Sequence, residues 1–287
     1  MKLQQHLAVI AALAVAPCVA QTSSAVTVTA WGQHYGGQVL YKYDVQNTGA
    51  APIKRFLVGH NPGDASGAGP ELSVVPIRLG NTFWLPSDVA RSPAGWGALL
   101  APAEEKEKFS IEWIEAGYFS QLWPKARPSP EAPRVVPGTT GILPGATVSE
   151  FSVTLPRTDA GYVSGHATVD VGNALATVQM VKGDAAAPAI ALNVERVNQN
   201  DSRGTWAIFS VTYSVSDNYD HGPVSAFEPI SANQPVSAGD IVTEKNNANA
   251  WNVKLRNVPG RIYTFSVRAF DASGNMALKQ YQHSVAR

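Results

Sequence analysis

Short stretches of alternating apolar and polar residues, separated by turn residues, constrain this chain more than any other feature. In Gln38–Asn47, QVLYKYDVQN, every second residue is apolar, at Val39, Tyr41, Tyr43 and Val45. Successive side chains of a strand point to opposite faces, so a period of two with one apolar face predicts a half-buried strand. The 24 Gly and 20 Pro residues supply turns for many such strands. The sequence therefore predicts an all-β protein.

Residues 1–20 have the pattern of a secretory signal peptide. They combine a lysine, an apolar run over Leu7–Ala16, and small residues at Cys18 and Ala20, which predicts cleavage after Ala20. The apolar run is shorter than the roughly 20 residues that cross a bilayer. We therefore expect a mature protein without a membrane span, located in the periplasm, at the cell surface or in the medium. The alternative is a lipoprotein acylated at Cys18, which Pro17 disfavours.

The number of cysteines and the net charge limit which covalent cross-links and which charged partners we expect. Cys18 is the only cysteine, so side-chain packing must hold the mature protein together without disulfides. The chain has 22 basic and 22 acidic residues. Without a basic surplus there is no electrostatic surface suited to nucleic acid or to an anionic membrane.

The length of 287 residues suits two β-sandwich domains in tandem. We place the first domain at residues 25–182, with long irregular loops at 86–108 and 123–145. The proline-rich second loop is typical of mobile cover, whereas the first is compatible with a functional or a structural role. We place the second domain at residues 187–287.

Three motifs of the first domain loosely resemble the N-terminal β-sandwich modules of secreted bacterial proteins. They are Y-x-V-x-N at Tyr43, Val45 and Asn47, then SPAGW ending at Trp96, and then ILPGATVSEFSVTLP. The resemblance implies a sandwich, and no activity that could be assigned to named residues.

The second domain contains seven short candidate strands separated by turn signals, as an immunoglobulin-like sandwich requires. They begin at Ala189, Trp206, Val224, Ile241, Trp251, Ile262 and Met276. Tyr263 follows a turn at Val258–Arg261 and precedes Phe265 by two residues. This is the place of a tyrosine corner, with Phe265 where antibody domains have a disulfide cysteine.

The same region resembles bacterial immunoglobulin-like domains, which are close to fibronectin type III modules and occur in secreted and cell-surface proteins. The matching motifs are VSDNYD from Val215, ISANQP from Ile230, GDI from Gly239, and LRNVPGRIYTFSVRAFDASGN from Leu255. The resemblance spans nearly all of residues 187–287. It implies a non-catalytic module that spaces, stabilises or adheres.

Two loops of this domain form a candidate calcium site. The strands that begin at Trp206 and Ile262 are expected to run in the same direction, so the loops that follow them lie at the same end of the sandwich. Those loops carry oxygen ligands of the kind calcium takes, at Asp217, Asn218, Asp220, Asp271 and Asn275. The alternative is a pair of ordinary turns, since Asp, Asn, Ser and Gly are common turn residues with solvated side chains.

The sequence offers little evidence for catalysis. It contains neither HExxH nor GxSxG. His60, in a loop with Asp64, is the best single candidate for a general base. The carboxylate pairs Glu104 with Glu105 and Glu112 with Glu115 could serve a glycosidase, but the first lies in a charged turn. Whether the protein is an enzyme stays undecided, and a non-catalytic role is favoured.

Trp84 and Trp96 lie beside turns and are candidates for stacking on a carbohydrate ligand, although any tryptophan of a sandwich can instead fill its core. The preferred hypothesis is a secreted binding or adhesion protein with exposed loops and aromatics, whose partner is a carbohydrate or another surface protein. The alternatives are an extracellular hydrolase or its accessory subunit, and a structural component of a cell-envelope assembly. The sequence does not determine the oligomeric state.

Overall fold

A computed structural model describes residues 25–58, 84–102, 109–122, 124, 134–137, 140–155, 163, 165–172, 174–197 and 204–286. Within these ranges the chain forms eighteen strands and the helix α1 at Ala116–Leu122. The predicted all-β class is therefore confirmed. Among the helices of these ranges, none has the length and hydropathy needed to cross a membrane.

Ten strands form two sheets that we call the N-terminal sandwich. The first sheet has the order β10-β1-β2-β7-β4 and the second has the order β5-β6-β3-β8-β9. Their bounds in chain order are β1 Val26–Tyr35, β2 Gln38–Asn47, β3 Ile53–Val58, β4 Ala90–Arg91, β5 Trp96–Pro102, β6 Phe109–Glu115, β7 Thr147–Leu155, β8 His166–Val171, β9 Ala174–Gln179 and β10 Val181–Lys182.

The core between these two sheets is built on aromatic side chains. The alternation in β2 is confirmed, because Tyr41 and Tyr43 are fully buried. Trp113 stacks on Phe56 at 5.2 Å between ring centroids, and its indole Nε1 donates a hydrogen bond to the Arg91 carbonyl at 2.9 Å. Burying aromatic area of this kind is a main source of stability for a chain without disulfides.

The segment 86–108 differs from the long irregular loop that the sequence predicted. It contains β4 and β5, and β5 pairs antiparallel with β6 along its whole length. The GALLAP run of β5 lacks the polar alternation of a half-buried strand, since Ala98 and Leu99 are both buried. A strand covered on both faces is apolar throughout, so periodicity alone does not distinguish it from a buried helical segment. Most of the second predicted loop, 123–145, lies outside the described residues.

Eight strands form the two sheets of the C-terminal sandwich. One sheet has the order β11-β12-β16-β15; in the other, β17 lies between β18 and the short strands β13 and β14. Their bounds are β11 Ala189–Arg196, β12 Trp206–Ser216, β13 Val224–Phe227, β14 Ser231–Ala232, β15 Ile241–Asn247, β16 Ala250–Arg256, β17 Ile262–Phe270 and β18 Met276–Ser284.

This strand order matches a constant-type immunoglobulin sandwich, in which four strands face three, if β13 and β14 are taken as one interrupted strand. The predicted tyrosine corner is present, since Tyr263 is fully buried and its hydroxyl donates to the Arg256 carbonyl at 2.7 Å. Phe265 is also fully buried and packs edge-on against Phe209. Apolar packing thus replaces the disulfide of antibody domains.

Candidate functional site at the junction of the two sandwiches

The stretch Phe270–Ala277, FDASGNMA, is both a turn and a contact with the N-terminal sandwich. The Asp271 amide donates to the Asn275 carbonyl at 3.1 Å, and Gly274 has a φ of 76°. Between these residues the turn carries Ala272, which is fully buried and belongs to the hydrophobic core of the N-terminal sandwich. The C-terminal sandwich therefore inserts a side chain into the core of its neighbour.

Two glycines allow close approaches at this junction: Gly32 between the two sandwiches, and Gly183 beside the Trp31 ring within the N-terminal part. A Cβ on Gly32 would lie 2.2 Å from the carbonyl oxygen of Ala272, and one on Gly183 would lie 1.9 Å from the ring of Trp31. Both distances are far shorter than a van der Waals contact, so any side chain at either position would force the neighbouring atoms to move. Ser273 adds a polar contact, because its Oγ accepts a hydrogen bond from the Gly32 amide at 3.2 Å.

Asp220 ties strand β1 to two loops of the C-terminal sandwich. Its carboxylate accepts hydrogen bonds from the His34 amide at 2.9 Å, from the Ala272 amide at 2.8 Å and from the Gly222 amide at 3.0 Å. The ring Nδ1 of His34 lies 2.5 Å from Oδ2 of the Asp220 carboxylate. Burial alone would raise the pKa of Asp220, but these hydrogen bonds outweigh it and lower the pKa to about 2.

The structure gives Asp220, predicted as a calcium ligand, a set of partners within the protein: its Oδ1 accepts from the His34 and Gly222 amides and its Oδ2 from the Ala272 amide. The residue is buried at 1% exposure. Its sequence neighbours gave no signal of this role, since its main partner, His34, is 186 residues away.

Beside Asp220, the structure brings together the carboxylates of Asp184, Asp217 and Asp271. One oxygen from each lies within 4.8 Å of the others. The predicted proximity of Asp217 and Asp271 therefore agrees with the geometry. Asp184 lies between the last strand of the N-terminal sandwich and the first of the C-terminal one. It was missed because KGDAAAP has the composition of a linker.

The two predicted amide ligands act here as hydrogen-bond donors. Asn275 Nδ2 donates to Asp271 Oδ2 at 2.7 Å and to the Asp184 carbonyl at 3.0 Å. Asn218 Nδ2 donates to Asp184 Oδ1 at 3.4 Å. The Asn275 Oδ1 atom accepts a hydrogen bond from Lys182 Nζ at 3.2 Å. Both side-chain amides therefore stabilise the carboxylate cluster by donating hydrogen bonds to it.

The electrostatics of this acidic cluster disfavour three ionised carboxylates. Burial raises the pKa of Asp271, and the charges of Asp184 and Asp217 raise it further, while hydrogen bonds from Asn275 oppose the shift. Asp271 is fully buried and Asp184 is 4% exposed. The arrangement is suited to binding positive charge.

The structure places Trp84 and Trp96 in the interior and corrects the prediction of exposed indoles. Trp84 is 1% exposed and packs against Phe119 of α1 at 4.8 Å. Trp96 is 7% exposed and packs edge-on against Phe151. Neither ring offers a face for stacking on a sugar. The sequence position of each tryptophan beside a turn did not predict its burial, because the side chains that cover it, Phe119 of α1 and Phe151 of β7, come from distant parts of the chain.

The described members of the catalytic candidates have structural partners. Glu112 forms a buried ion pair with Arg55; burial raises the pKa of Glu112 and Arg55 opposes the shift. Glu115 accepts hydrogen bonds from the Gly117 and Tyr118 amides at 2.8 and 2.7 Å, which caps the start of α1. His60, Asp64, Glu104 and Glu105 lie outside the described residues.

The fold and this junction define a class: an all-β sandwich protein with an aspartate-lined contact between its two sets of sheets. No protein-family model matches the chain, and no curated protein matches it. Among solved structures, the chain is similar to the Yersinia pseudotuberculosis adhesin InvE, with 12% identity and a TM-score of 0.22. The match covers 90% of this chain and 58% of that one. A similarity at this TM-score carries no argument about function.

Proposed function

We propose that this is an exported, non-catalytic binding or adhesion protein whose contact surface is an apolar row on the C-terminal sandwich. The row consists of Val224, Phe270, Met276 and Leu278. Their exposed fractions are 54%, 40%, 55% and 51%. These exposed side chains are the observation that carries the proposal.

Strand register makes the four side chains neighbours. Val224 pairs with Phe270, and Phe270 pairs in turn with Met276 on β18. Leu278 follows Met276 by two residues and therefore lies on the same face of its strand. Apolar side chains exposed singly are common on any protein, whereas a contiguous group is typical of an interaction surface.

The chemistry of the row favours a protein partner over a carbohydrate. Three of the four side chains are aliphatic or methionine, which adapt to an apolar protein surface, and the two tryptophans predicted to stack on a sugar, Trp84 and Trp96, are buried. Arg268 lies opposite Leu278 on the neighbouring strand, and its Nε is 3.5 Å from Oε1 of Glu228. A polar rim around an apolar centre is the usual anatomy of a protein interface.

The junction supports this function by holding the sandwiches together. The close approach of Gly32 to Ala272 and the hydrogen bonds of Asp220 fix the position of the loop that precedes β18. A preorganised surface loses less conformational entropy on binding.

The test is binding of the labelled protein to a panel of immobilised extracellular proteins and glycans. The Met276→Lys, Leu278→Lys double variant should lose at least about tenfold in affinity for the protein that binds, because two charges would be buried in an apolar contact. Gln280→Lys, Gln282→Lys is the matched control, since both residues are exposed on the same face of β18. Equal affinity of the two double variants contradicts the proposal, as does binding confined to glycans.

A further inference from the structure

The acidic cluster at the junction leaves two buried carboxylate oxygens without a hydrogen-bond donor. Among the described residues, Oδ2 of Asp184 and Oδ2 of Asp217 are buried and accept no hydrogen bond. Asp184 is 4% exposed, so bulk water does not compensate. Leaving a buried acceptor unsatisfied is costly, and more so when it carries charge.

The other oxygen of each carboxylate is already used by the protein. Asp184 Oδ1 accepts from the Ala186 amide at 3.1 Å, and Asp217 Oδ1 accepts from the Tyr219 and Asp220 amides at 2.9 and 2.8 Å. Both carboxylates are therefore held in place by one oxygen. Each of these two carboxylates can offer its free Oδ2 to a ligand. Both oxygens of Asp271 accept a hydrogen bond from Asn275 at 2.7 Å, so Asp271 would bind an ion through a second lone pair of one of them.

The surrounding charges do not neutralise the cluster. Lys182 is the nearby cation, and its Nζ is directed to the Asn275 Oδ1 at 3.2 Å. His34 is paired with Asp220. In the part of the chain that the structure describes, no salt bridge reaches Asp184, Asp217 or Asp271. Three carboxylates thus face one another with one lysine at the edge.

We propose that Asp184, Asp217 and Asp271 bind a calcium ion at the junction of the two sandwiches. Calcium takes six to eight oxygen ligands at about 2.3–2.6 Å, so ligands on opposite sides of the ion are about 4.6–5.2 Å apart. One carboxylate oxygen from each of the three residues lies within 4.8 Å of the others, which fits one coordination sphere. Bound water and backbone carbonyls would supply the remaining ligands.

The identity of the ion follows from the donor set. All three ligands are hard oxygens, without the histidine or cysteine that zinc and copper prefer. Magnesium usually retains several waters and is bound through one or two carboxylates. Three converging carboxylates held at fixed positions favour calcium.

The proposed ion joins two parts of the chain. Asp184 belongs to the segment between the sandwiches, while Asp217 and Asp271 follow β12 and β17 of the C-terminal sandwich. Bound calcium would therefore anchor the connecting segment to the sandwich that it precedes. This role is independent of any partner bound at the apolar row.

The direct test is isothermal titration of the full chain with calcium chloride, with thermal unfolding measured in calcium and in chelator. We expect one ion per chain. At calcium concentrations of about 100 times the Kd, we expect the midpoint to rise by about 5 °C or more relative to chelator. Magnesium should produce a smaller rise.

Asp184→Asn keeps the size of the side chain and removes one ligand charge. It should weaken calcium binding at least about tenfold and abolish most of the calcium-dependent rise in midpoint. In chelator the same variant should be at least as stable as the parent, because one buried charge has been removed from the cluster. Asp88→Asn is the control for charge alone, since Asp88 is exposed on the N-terminal sandwich.

Three results would overturn the proposal. One is the absence of calcium binding at millimolar concentration. Another is a calorimetric and thermal response to calcium that Asp184→Asn retains. The third is an equal loss of response in Asp88→Asn, which would indicate a diffuse effect of net charge.

Discussion

At the scale of single residues, several side chains act as fixed connectors. The hydroxyl of Tyr263 reaches the Arg256 carbonyl at 2.7 Å and receives a hydrogen bond from Arg261 Nη1 at 3.2 Å. Arg261 also pairs with Asp240 at 2.8 Å. The spacing from the turn to Tyr263 predicted the corner, but not the arginine and aspartate that support it. Asp240 belongs to the short GDI motif, which by itself is typical of any turn.

His283 provides a prediction about pH. Its ring lies 4.8 Å from that of Phe209. Burial lowers the pKa of His283, and the charge of Arg196 lowers it further. The unfolded chain therefore takes up the proton more readily than the folded protein. The stabilising contribution is complete above the ordinary histidine pKa of about 6.5 and is lost as the pH falls through the lowered folded value.

We expect the free energy of unfolding to fall between pH 8 and pH 5 by less in His283→Gln than in the parent chain. Urea unfolding at the two pH values measures this difference. His166→Gln is the control, because His166 is exposed on β8 of the other sandwich. A pH dependence that His283→Gln leaves unchanged would show that this residue does not titrate differently on folding.

At the scale of elements, the sequence was informative wherever the determinants are local. Six of the seven candidate strands of the C-terminal sandwich begin at the predicted residue, and the strand predicted from Trp251 begins one residue earlier, at Ala250. Period-two alternation and turn residues act over a few positions, so they can be recognised in one segment at a time. The two-residue β14 has no periodicity to detect.

The junction could be predicted only in part for the same reason. The parallel direction of β12 and β17 follows from their places in the sandwich, and it brings Asp217 near Asp271. The contact of Ser273 with Gly32 spans 241 residues. No local pattern indicates which glycine of one sandwich faces a loop of the other, so Asp184, Gly32 and the role of Asp220 were not foreseen.

Gly32 and Gly222 make a matched pair for testing the junction. Gly32→Ala would place a Cβ 2.2 Å from the Ala272 carbonyl oxygen, whereas Gly222→Ala would place one 3.5 Å from His34 Cβ, an ordinary contact. We expect Gly32→Ala to displace the Asp271–Asn275 turn and to lower the thermal midpoint by several degrees, since a steric overlap in a packed site costs about 1–3 kcal/mol. Gly222→Ala should unfold like the parent.

Scanning calorimetry of the three chains measures this effect. Displacement of the turn removes Ala272 from the core of the N-terminal sandwich, so the unfolding transition of Gly32→Ala should broaden or split. Identical transitions in all three chains would show that the close approach at Gly32 is not required.

At the scale of the whole molecule, the contacts at the junction hold the two sandwiches in one fixed arrangement. Each has its own buried cluster, yet Ala272 from one contributes to the core of the other. The close approach of Gly32 to Ala272, the hydrogen bonds of Asp220 and the proposed calcium ion all act at one junction. Such a joint would present the apolar row, which spans β13, β17 and β18, in a constant orientation.

The most direct test of the fixed arrangement is the distribution of distances between the sandwiches, measured by pulsed electron paramagnetic resonance. Cys18 is the only native cysteine, so in a Cys18→Ser background labels can be placed at Leu175→Cys and Val242→Cys. Both positions are well exposed, at 62% and 48%. We expect one narrow distance peak in calcium, a broader one in chelator, and a broad distribution in Gly32→Ala. A broad distribution in the parent chain with calcium present would contradict the fixed arrangement.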